Sequence, residues 1–103
     1  MKGTYLRFYV AEKAKHKGLL AYEWLLEMAK KSGVHGGSAF RAIAGFGRHG
    51  VLHEQHFFEL AGDLTVEVEF LLGDEEAAKL IAAVQAEKVK IFYAKAPAEF
   101  GVT

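Results

Sequence analysis

Twice along the sequence a strand-like hydrophobic pattern gives way to a helical one and then returns, and this limits the folds open to the chain. Four segments alternate apolar and polar side chains, which predicts half-buried strands: residues 4–12, 38–46, 63–72 and 87–95. Between them, residues 19–32 and the segment that opens at Gly73 repeat apolar side chains at helical spacing. Asp74 is expected to cap the second helix, because its carboxylate can accept hydrogen bonds from free backbone N–H groups. The predicted order is therefore β-α-β-β-α-β.

Two βαβ halves in this order form a ferredoxin-like sandwich of the α+β class, a four-stranded antiparallel sheet with both helices on one face. The 103 residues suit a single domain spanning residues 1–103. The other sheet face is left bare, and a mixed aromatic and cationic set is predicted there: Tyr5, Arg7, Tyr9, Arg41, Ile43, Lys90 and Phe92. Such a face is too apolar for solvent alone, so we expect it to be buried between subunits.

Composition excludes several classes of function. Thirteen basic residues balance thirteen acidic ones, so no global field attracts nucleic acid, and recognition must come from a local patch. The absence of cysteine excludes a disulfide framework and a thiol nucleophile. The N-terminal residues contain no long apolar stretch, which predicts a cytoplasmic protein without direct membrane insertion. No Ser/His/Asp arrangement can be argued, and we therefore predict that the protein is not an enzyme.

The most distinctive motif is Gly45-Phe46-Gly47-Arg48-His49-Gly50, which lies where the second predicted strand gives way to a polar stretch. Glycines there allow backbone N–H groups to approach an anion, and Arg48 could pair with a phosphate or carboxylate. The same glycines could equally form a turn or a bulge. The pattern alone leaves both interpretations open.

Three histidines follow within a short polar stretch: His49, His53 and His56. If this stretch were helical, the three imidazoles would converge and could hold zinc, copper or nickel. The alternative is a solvated loop that happens to be rich in histidine. His16 and His35 stand alone and are expected at the surface.

The motif Ala44-Gly45-Phe46-Gly47-Arg48-His49-Gly50, at the end of the second strand of a βαββαβ chain, resembles the segment leading into the T-loop of PII signal-transduction proteins. Lys90-Ile91-Phe92 is similar to the Lys-Ile-Phe of the last PII strand. Leu6-Arg7-Phe8-Tyr9-Val10, together with residues 41–47, resembles more closely a PII-like group, domain-of-unknown-function family 190. The resemblance covers residues 6 to about 93.

This resemblance implies a homotrimer of ferredoxin-like subunits that binds an adenine nucleotide in clefts between neighbours. Gly45, Phe46, Gly47 and Arg48 would line the cleft, His49 would take the place of a PII glutamine, and Lys90 would meet phosphates. Residues 47–62 would form a loop that contacts a partner. A membrane transporter or channel is the partner implied, because family members tend to be encoded beside fluoride-channel genes.

The chain also departs from the PII pattern. Residues 82–87 replace the glycine-rich phosphate loop, and Lys95 is the only cation in the tail. Since a triphosphate carries several charges that must be matched, a smaller effector such as a nucleoside monophosphate is expected. The alternative function is a metal-binding trimer similar to the copper-tolerance proteins, which share the subunit fold, with His49, His53 and His56 as ligands.

Overall fold

The computed structural model describes residues 1–46 and 64–103. Within these ranges the elements follow one another in this order: β1 Lys2–Ala11, β2 Lys15–His16, β3 Leu19–Leu20, α1 Ala21–Lys31, β4 Ser38–Arg41, β5 Thr65–Leu72, α2 Asp74–Ala86 and β6 Phe92–Glu99. Apart from the two-residue strands β2 and β3, this is the predicted β-α-β-β-α-β order.

Strand β1 lies at the centre of the sheet. It pairs antiparallel with β5 on one side, where Leu6 is opposite Phe70, and with β6 on the other, where Phe8 is opposite Tyr93. Strand β4 pairs antiparallel with the far edge of β5, so that the strand order is β4-β5-β1-β6. This confirms the predicted α+β, ferredoxin-like architecture.

The core lies between one face of the sheet and the two helices. The alternation of β1 and β5 places every second side chain in this core, including Leu6, Phe8 and Val68. Leu25 of α1 and Leu80 of α2 face them and are fully buried or nearly so. The predicted apolar stripe of α2 is confirmed: Ala77, Leu80, Ile81 and Val84 are buried. Neither helix of the described residues is long and apolar enough to cross a membrane.

The start of α2 differs from the prediction. The flanking residue with extended backbone is Gly73, and its N–H donates to Glu76 Oε1 at 2.9 Å. Asp74 already lies inside the first turn, so it does not act as the cap. Its Oδ1 instead accepts a 2.6 Å hydrogen bond from Thr4 Oγ1, which ties the helix to β1.

The lysine-rich segment after β1 is not a plain loop. Lys15 and His16 pair with Leu20 and Leu19 in a short hairpin, here called the β2–β3 hairpin. Its two turn residues have left-handed backbones, Lys17 with φ 53° and Gly18 with φ 82°. Two consecutive positive φ values are typical of a type I′ turn, whose twist matches that of the paired strands.

The last strand begins five residues later than predicted. Helix α2 runs to Ala86, and Lys88 then turns the chain with a left-handed φ of 59°. Val89 and Ile91 pack against the core as their alternation suggested, but outside any strand. Pairing starts only at Phe92, opposite Tyr9.

Candidate functional site

The antiparallel order brings several chain ends together at one end of the sheet. Strands β1 and β4 run in the same direction, since both are antiparallel to β5, and they finish at Ala11 and Arg41. Strand β5 begins there, with Thr65 opposite Ala11, and β6 begins there with Phe92 opposite Tyr9. We call this the loop end of the sheet. It is the end at which the glycine motif leaves β4.

Strand β4 is shorter than predicted. Among the described residues, the hydrogen bond between this segment and β5 that lies furthest along the chain runs from the Ala42 N–H to the Thr65 carbonyl, at 2.8 Å. The described residues after it, 43–46, lie outside any strand. Gly45 is exposed, and Ile43 and Phe46 are 94% and 85% exposed. The described part of the glycine motif is therefore a solvent-facing continuation of β4.

The remaining residues of the motif, and the histidine triad, lie outside the described residues: Gly47, Arg48, His49, His53 and His56. Their roles as cleft residues or metal ligands stay predictions. In the described ranges, 1–46 and 64–103, no group of three or more histidine, aspartate and glutamate side chains could hold a metal ion.

Lys90 also lies at the loop end, two residues before β6, and it is exposed. The prediction that it lies on the bare sheet face is wrong, because residues 87–91 lie outside any strand and β6 begins only at Phe92. Lys90 and Gly45 thus share one end of the sheet, but at opposite edges. Strands β5 and β1 lie between them. Within one chain these two parts of the predicted site are not brought together.

Arg41 faces the helix side of the sheet, since it is opposite the buried Val66. The prediction that it lies on the bare face is therefore wrong. The strand register places Phe40 on that face instead. The Arg41 guanidinium forms an ion pair with Glu12, with 2.9 Å between Nε and Oε2. This pair joins the ends of β4 and β1. The other carboxylate oxygen, Oε1, is buried and has no hydrogen-bond partner among the described residues.

The β2–β3 hairpin is fastened to the end of α2 by Glu87. Its Oε1 lies 2.8 Å from Lys17 Nζ and 3.1 Å from His16 Nε2. The hydrogen bond with Lys17, and secondly that with His16, lowers the pKa of the Glu87 carboxyl. The His16 ring also meets Trp24 edge-on, with 4.3 Å between centroids. His16 is thus half-buried, and the expectation that it is a lone surface residue is wrong.

Sequence reasoning missed this cluster because its members are 71 residues apart. The available signal was Lys17-Gly18, since a turn residue followed by glycine between paired segments favours a two-residue hairpin. That signal predicts the hairpin but not its contact with α2.

On the bare face, Arg7 is the centre of a polar network. Its Nη2 donates to the Tyr5 hydroxyl at 2.6 Å and its Nη1 to the Tyr9 hydroxyl at 3.2 Å. The guanidinium also lies 3.4 Å from Glu67 and 3.3 Å from Glu69 of β5. The hydrogen bond with Tyr5, and then that with Tyr9, raises the pKa of Arg7 above its ordinary value. Arg7 therefore keeps its positive charge throughout the physiological pH range.

Apolar side chains flank this network. Phe92 packs on Tyr9 with 5.4 Å between ring centroids, as predicted. Phe40 of β4 is 55% exposed, whereas the sequence pattern does not predict it on this face. Leu71 is exposed on the same face, beside a groove that Tyr5 and Phe40 also line. Ile43, the last predicted member of this face, lies beyond β4.

Comparisons with known proteins agree with this fold. The family DUF190, described as "Uncharacterized ACR", matches residues 3–92. A UPF0166 protein of Aquifex aeolicus is 32% identical over 85 residues, which cover 82% of this chain and 81% of that protein. A UPF0166 protein of Methanocaldococcus jannaschii is 32% identical over 69 residues, covering 67% of this chain and 63% of that protein.

Among solved structures, one from Thermus thermophilus that is described as a putative PII-like signaling protein superposes with a TM-score of 0.60. The two chains are 20% identical, and the match covers 94% of this chain and 89% of the other. At that identity the likeness concerns the fold. Since the family match spans most of the sequence, the chain belongs to the DUF190 family and has a PII-like fold.

Proposed function

We propose that this protein is a non-catalytic, PII-like regulator that forms a homotrimer and binds a small anionic effector between its subunits. The observation that carries the proposal is the separation of Gly45 and Lys90, which lie at the same end of the sheet but at opposite edges. A site that uses both needs two chains. The PII-like description of the Thermus thermophilus structure supports the same reading.

The strand spacing sets the size of this separation. Strands β4 and β6 are three interstrand steps apart, or about 14 Å at roughly 4.8 Å per step. Strands β5 and β1, with their side chains, occupy the space between them. A neighbouring copy that brings its β6 edge to the β4 edge would place its Lys90 beside Gly45 and Phe46. Lys90 would then supply positive charge to an effector held by the glycine motif.

The bare sheet face supports association of copies. It presents the exposed rings of Phe40 and Phe92 around the network centred on Arg7. Aromatic residues and arginine are enriched in protein interfaces, and two carboxylates, Glu67 and Glu69, already pair with the Arg7 guanidinium. Burying this face between subunits would remove apolar surface from water without leaving the guanidinium unpaired.

An adenine nucleotide is the effector that the resemblance to PII proteins implies, and the few cations of the motif favour a monophosphate. Residues 47–62 would then act on a partner, for which a membrane transporter or channel is the candidate. In this scheme the effector controls partner binding. The protein acts by binding alone.

Isothermal titration calorimetry with AMP, ADP and ATP tests the effector. We expect binding by the native protein, loss of binding in Arg48→Ala and in Lys90→Ala, and no change in Lys79→Ala. Lys79 is the matched control, an exposed lysine of α2 away from the sheet edges. Flat titrations with all three nucleotides would refute nucleotide binding.

Two further measurements separate the parts of the proposal. Light scattering at micromolar concentration should give the mass of a trimer, and a monomer would refute the shared cleft. Metal titration of the native protein and of a His53→Ala, His56→Ala double variant tests the alternative metal-binding function. Metal binding that this double variant abolishes, in a protein that binds no nucleotide, would favour the alternative.

A further inference from the structure

Positive charge is concentrated at the loop end of the sheet. Six lysine and arginine side chains of the described residues lie there, all of them exposed: Lys13, Lys15, Lys17, Arg41, Lys88 and Lys90. Three carboxylates accompany them: Glu12, Glu87, and Glu23 in the first turn of α1. Among the described residues, six positive and three negative charges leave an excess of three, in a chain whose formal net charge is zero. Although the chain has no net charge, its fold therefore gathers a local basic patch of the kind that recognition of an anion needs.

The fold holds this patch in place. Lys13, Lys15 and Lys17 belong to the segment that follows β1, and the contacts of Glu87 with Lys17 and His16 fasten that segment to α2. Lys88 and Lys90 lie in the turn directly after Glu87. Lys15 therefore lies in a paired strand, and Lys17 is held by its ion pair with Glu87.

Glu12 and Glu87 each have a basic partner within the patch, and three carboxylates do not neutralise six basic side chains. Glu12 is paired with Arg41, and Glu87 with Lys17 and His16. Lys13, Lys15, Lys88 and Lys90 form no ion pair with any residue of ranges 1–46 and 64–103. Lys90 is assigned above to the effector, so the ammonium groups of Lys13, Lys15 and Lys88 remain available to meet an external anion.

Apolar side chains are exposed at the same end. Leu19 of the hairpin is 41% exposed, and Ile43 beyond β4 is almost fully exposed. Lysines around exposed aliphatic side chains match the surface of an anionic bilayer, in which headgroups attract the charges and the interface receives the apolar groups. An acidic protein surface would match the lysines but would give Leu19 and Ile43 no comparable environment.

We propose that the loop end is a peripheral docking surface for a bilayer that contains anionic lipid. The protein adsorbs through its lysines, with Leu19 and Ile43 at the interface. Each lysine near such a surface strengthens binding roughly fivefold. In the trimer proposed above, cyclic symmetry places three copies of this surface at one height along the axis, and their binding adds by multivalency. The charge distribution that carries the inference belongs to the single chain.

Co-sedimentation of the full chain with vesicles tests the proposal. We expect binding to phosphatidylcholine vesicles that contain phosphatidylserine, little binding to phosphatidylcholine alone, and release by added salt. The triple variant Lys13→Gln, Lys15→Gln, Lys88→Gln should bind the anionic vesicles roughly 100-fold more weakly. The triple variant Lys30→Gln, Lys31→Gln, Lys79→Gln removes the same charge from exposed helix positions and should bind like the native protein.

Three results would overturn the proposal. The first is equal binding of the native protein to both kinds of vesicle. The second is an equal loss of binding in the two triple variants. The third is that the native protein binds no vesicles but binds polyglutamate through the same lysines. The last result would assign the surface to an acidic protein. Both triple variants keep Gly45, Arg48 and Lys90, so nucleotide calorimetry on the same samples reports separately on the proposed effector site.

Discussion

Replacement of Gly37 by alanine is the substitution whose effect the structure defines most sharply. Gly37 lies directly before β4, where the chain crosses the Phe70 ring. A Cβ added there would overlap that ring, with Cδ1 at 2.7 Å, and would lie 3.2 Å from Leu26 Cδ2. Carbon atoms in contact prefer separations of about 3.5–4.0 Å, so the neighbours must move by roughly 1 Å.

The Phe70 ring has little room to retreat. It is 2% exposed, and it packs edge-on against Phe8, with 6.3 Å between centroids and 78° between planes. Its backbone is held in register opposite Leu6. Overpacking of a well-packed core costs about 1–3 kcal/mol, which corresponds to a melting temperature roughly 5–20 °C lower in a domain of this size. The backbone at the start of β4, next to Gly37, should shift as well and so take up part of the overlap with the Phe70 ring.

Gly36→Ala is the matched control. A Cβ at Gly36 meets no atom within 4 Å, and its backbone does not have a left-handed φ. Alanine there restricts the unfolded chain and should change stability by no more than about 1 kcal/mol, in the stabilising direction. Thermal and urea unfolding followed by circular dichroism, at one fixed protein concentration, compares the two variants. Equal melting temperatures for Gly36→Ala and Gly37→Ala would refute the close approach of Gly37 to Phe70.

Three other substitutions test separate parts of the fold. Thr4→Val removes the hydrogen bond to Asp74 at nearly constant volume and should cost about 1 kcal/mol in urea unfolding, whereas an unchanged midpoint would argue against the tie between β1 and α2. The hydrogen bond with Lys17 lowers the pKa of the Glu87 carboxyl below its ordinary 4.5. The ionised carboxylate therefore stabilises the fold above about pH 4.5. This contribution is lost as the pH falls through the lowered pKa that Glu87 has in the folded protein. Melting temperatures between about pH 7 and about pH 3 should fall less steeply in Glu87→Gln, and parallel curves would contradict this. Leu25→Ala should cost about 2–5 kcal/mol, because Leu25 is 0% exposed; a loss below about 1 kcal/mol would place it outside the core.

The inner strands and the helices were predictable because burial on one side imposes a period on the sequence. Residues of β5 such as Val66 and Val68 alternate with Glu67 as a half-buried strand requires, and the structure confirms that pattern. The bounds of the edge strands were less predictable. Val89 and Ile91 alternate as in a strand but pack from a turn, and alternation cannot separate the two cases.

The sequence indicated the type of ligand that the candidate site would bind, but not where its residues lie relative to one another. The motif at Gly45 indicated an anion or cleft site by its residue types, and Lys90 was added by the resemblance to PII proteins. That these two lie at opposite edges of one sheet end depends on the strand order, which a single motif does not contain. The contact of His16 with Glu87 is likewise a product of folding, because it joins residues 71 positions apart.

By itself the sequence determined which side chains enter the core and the order of strands and helices, because apolar surface must be buried at the period of each element. It also determined that the chain carries no net charge. Only the tertiary structure decided where the charges lie. The antiparallel sheet brings the segment after β1, the end of β4 and the turn before β6 to one end, and so gathers lysines distant in sequence into a single basic surface.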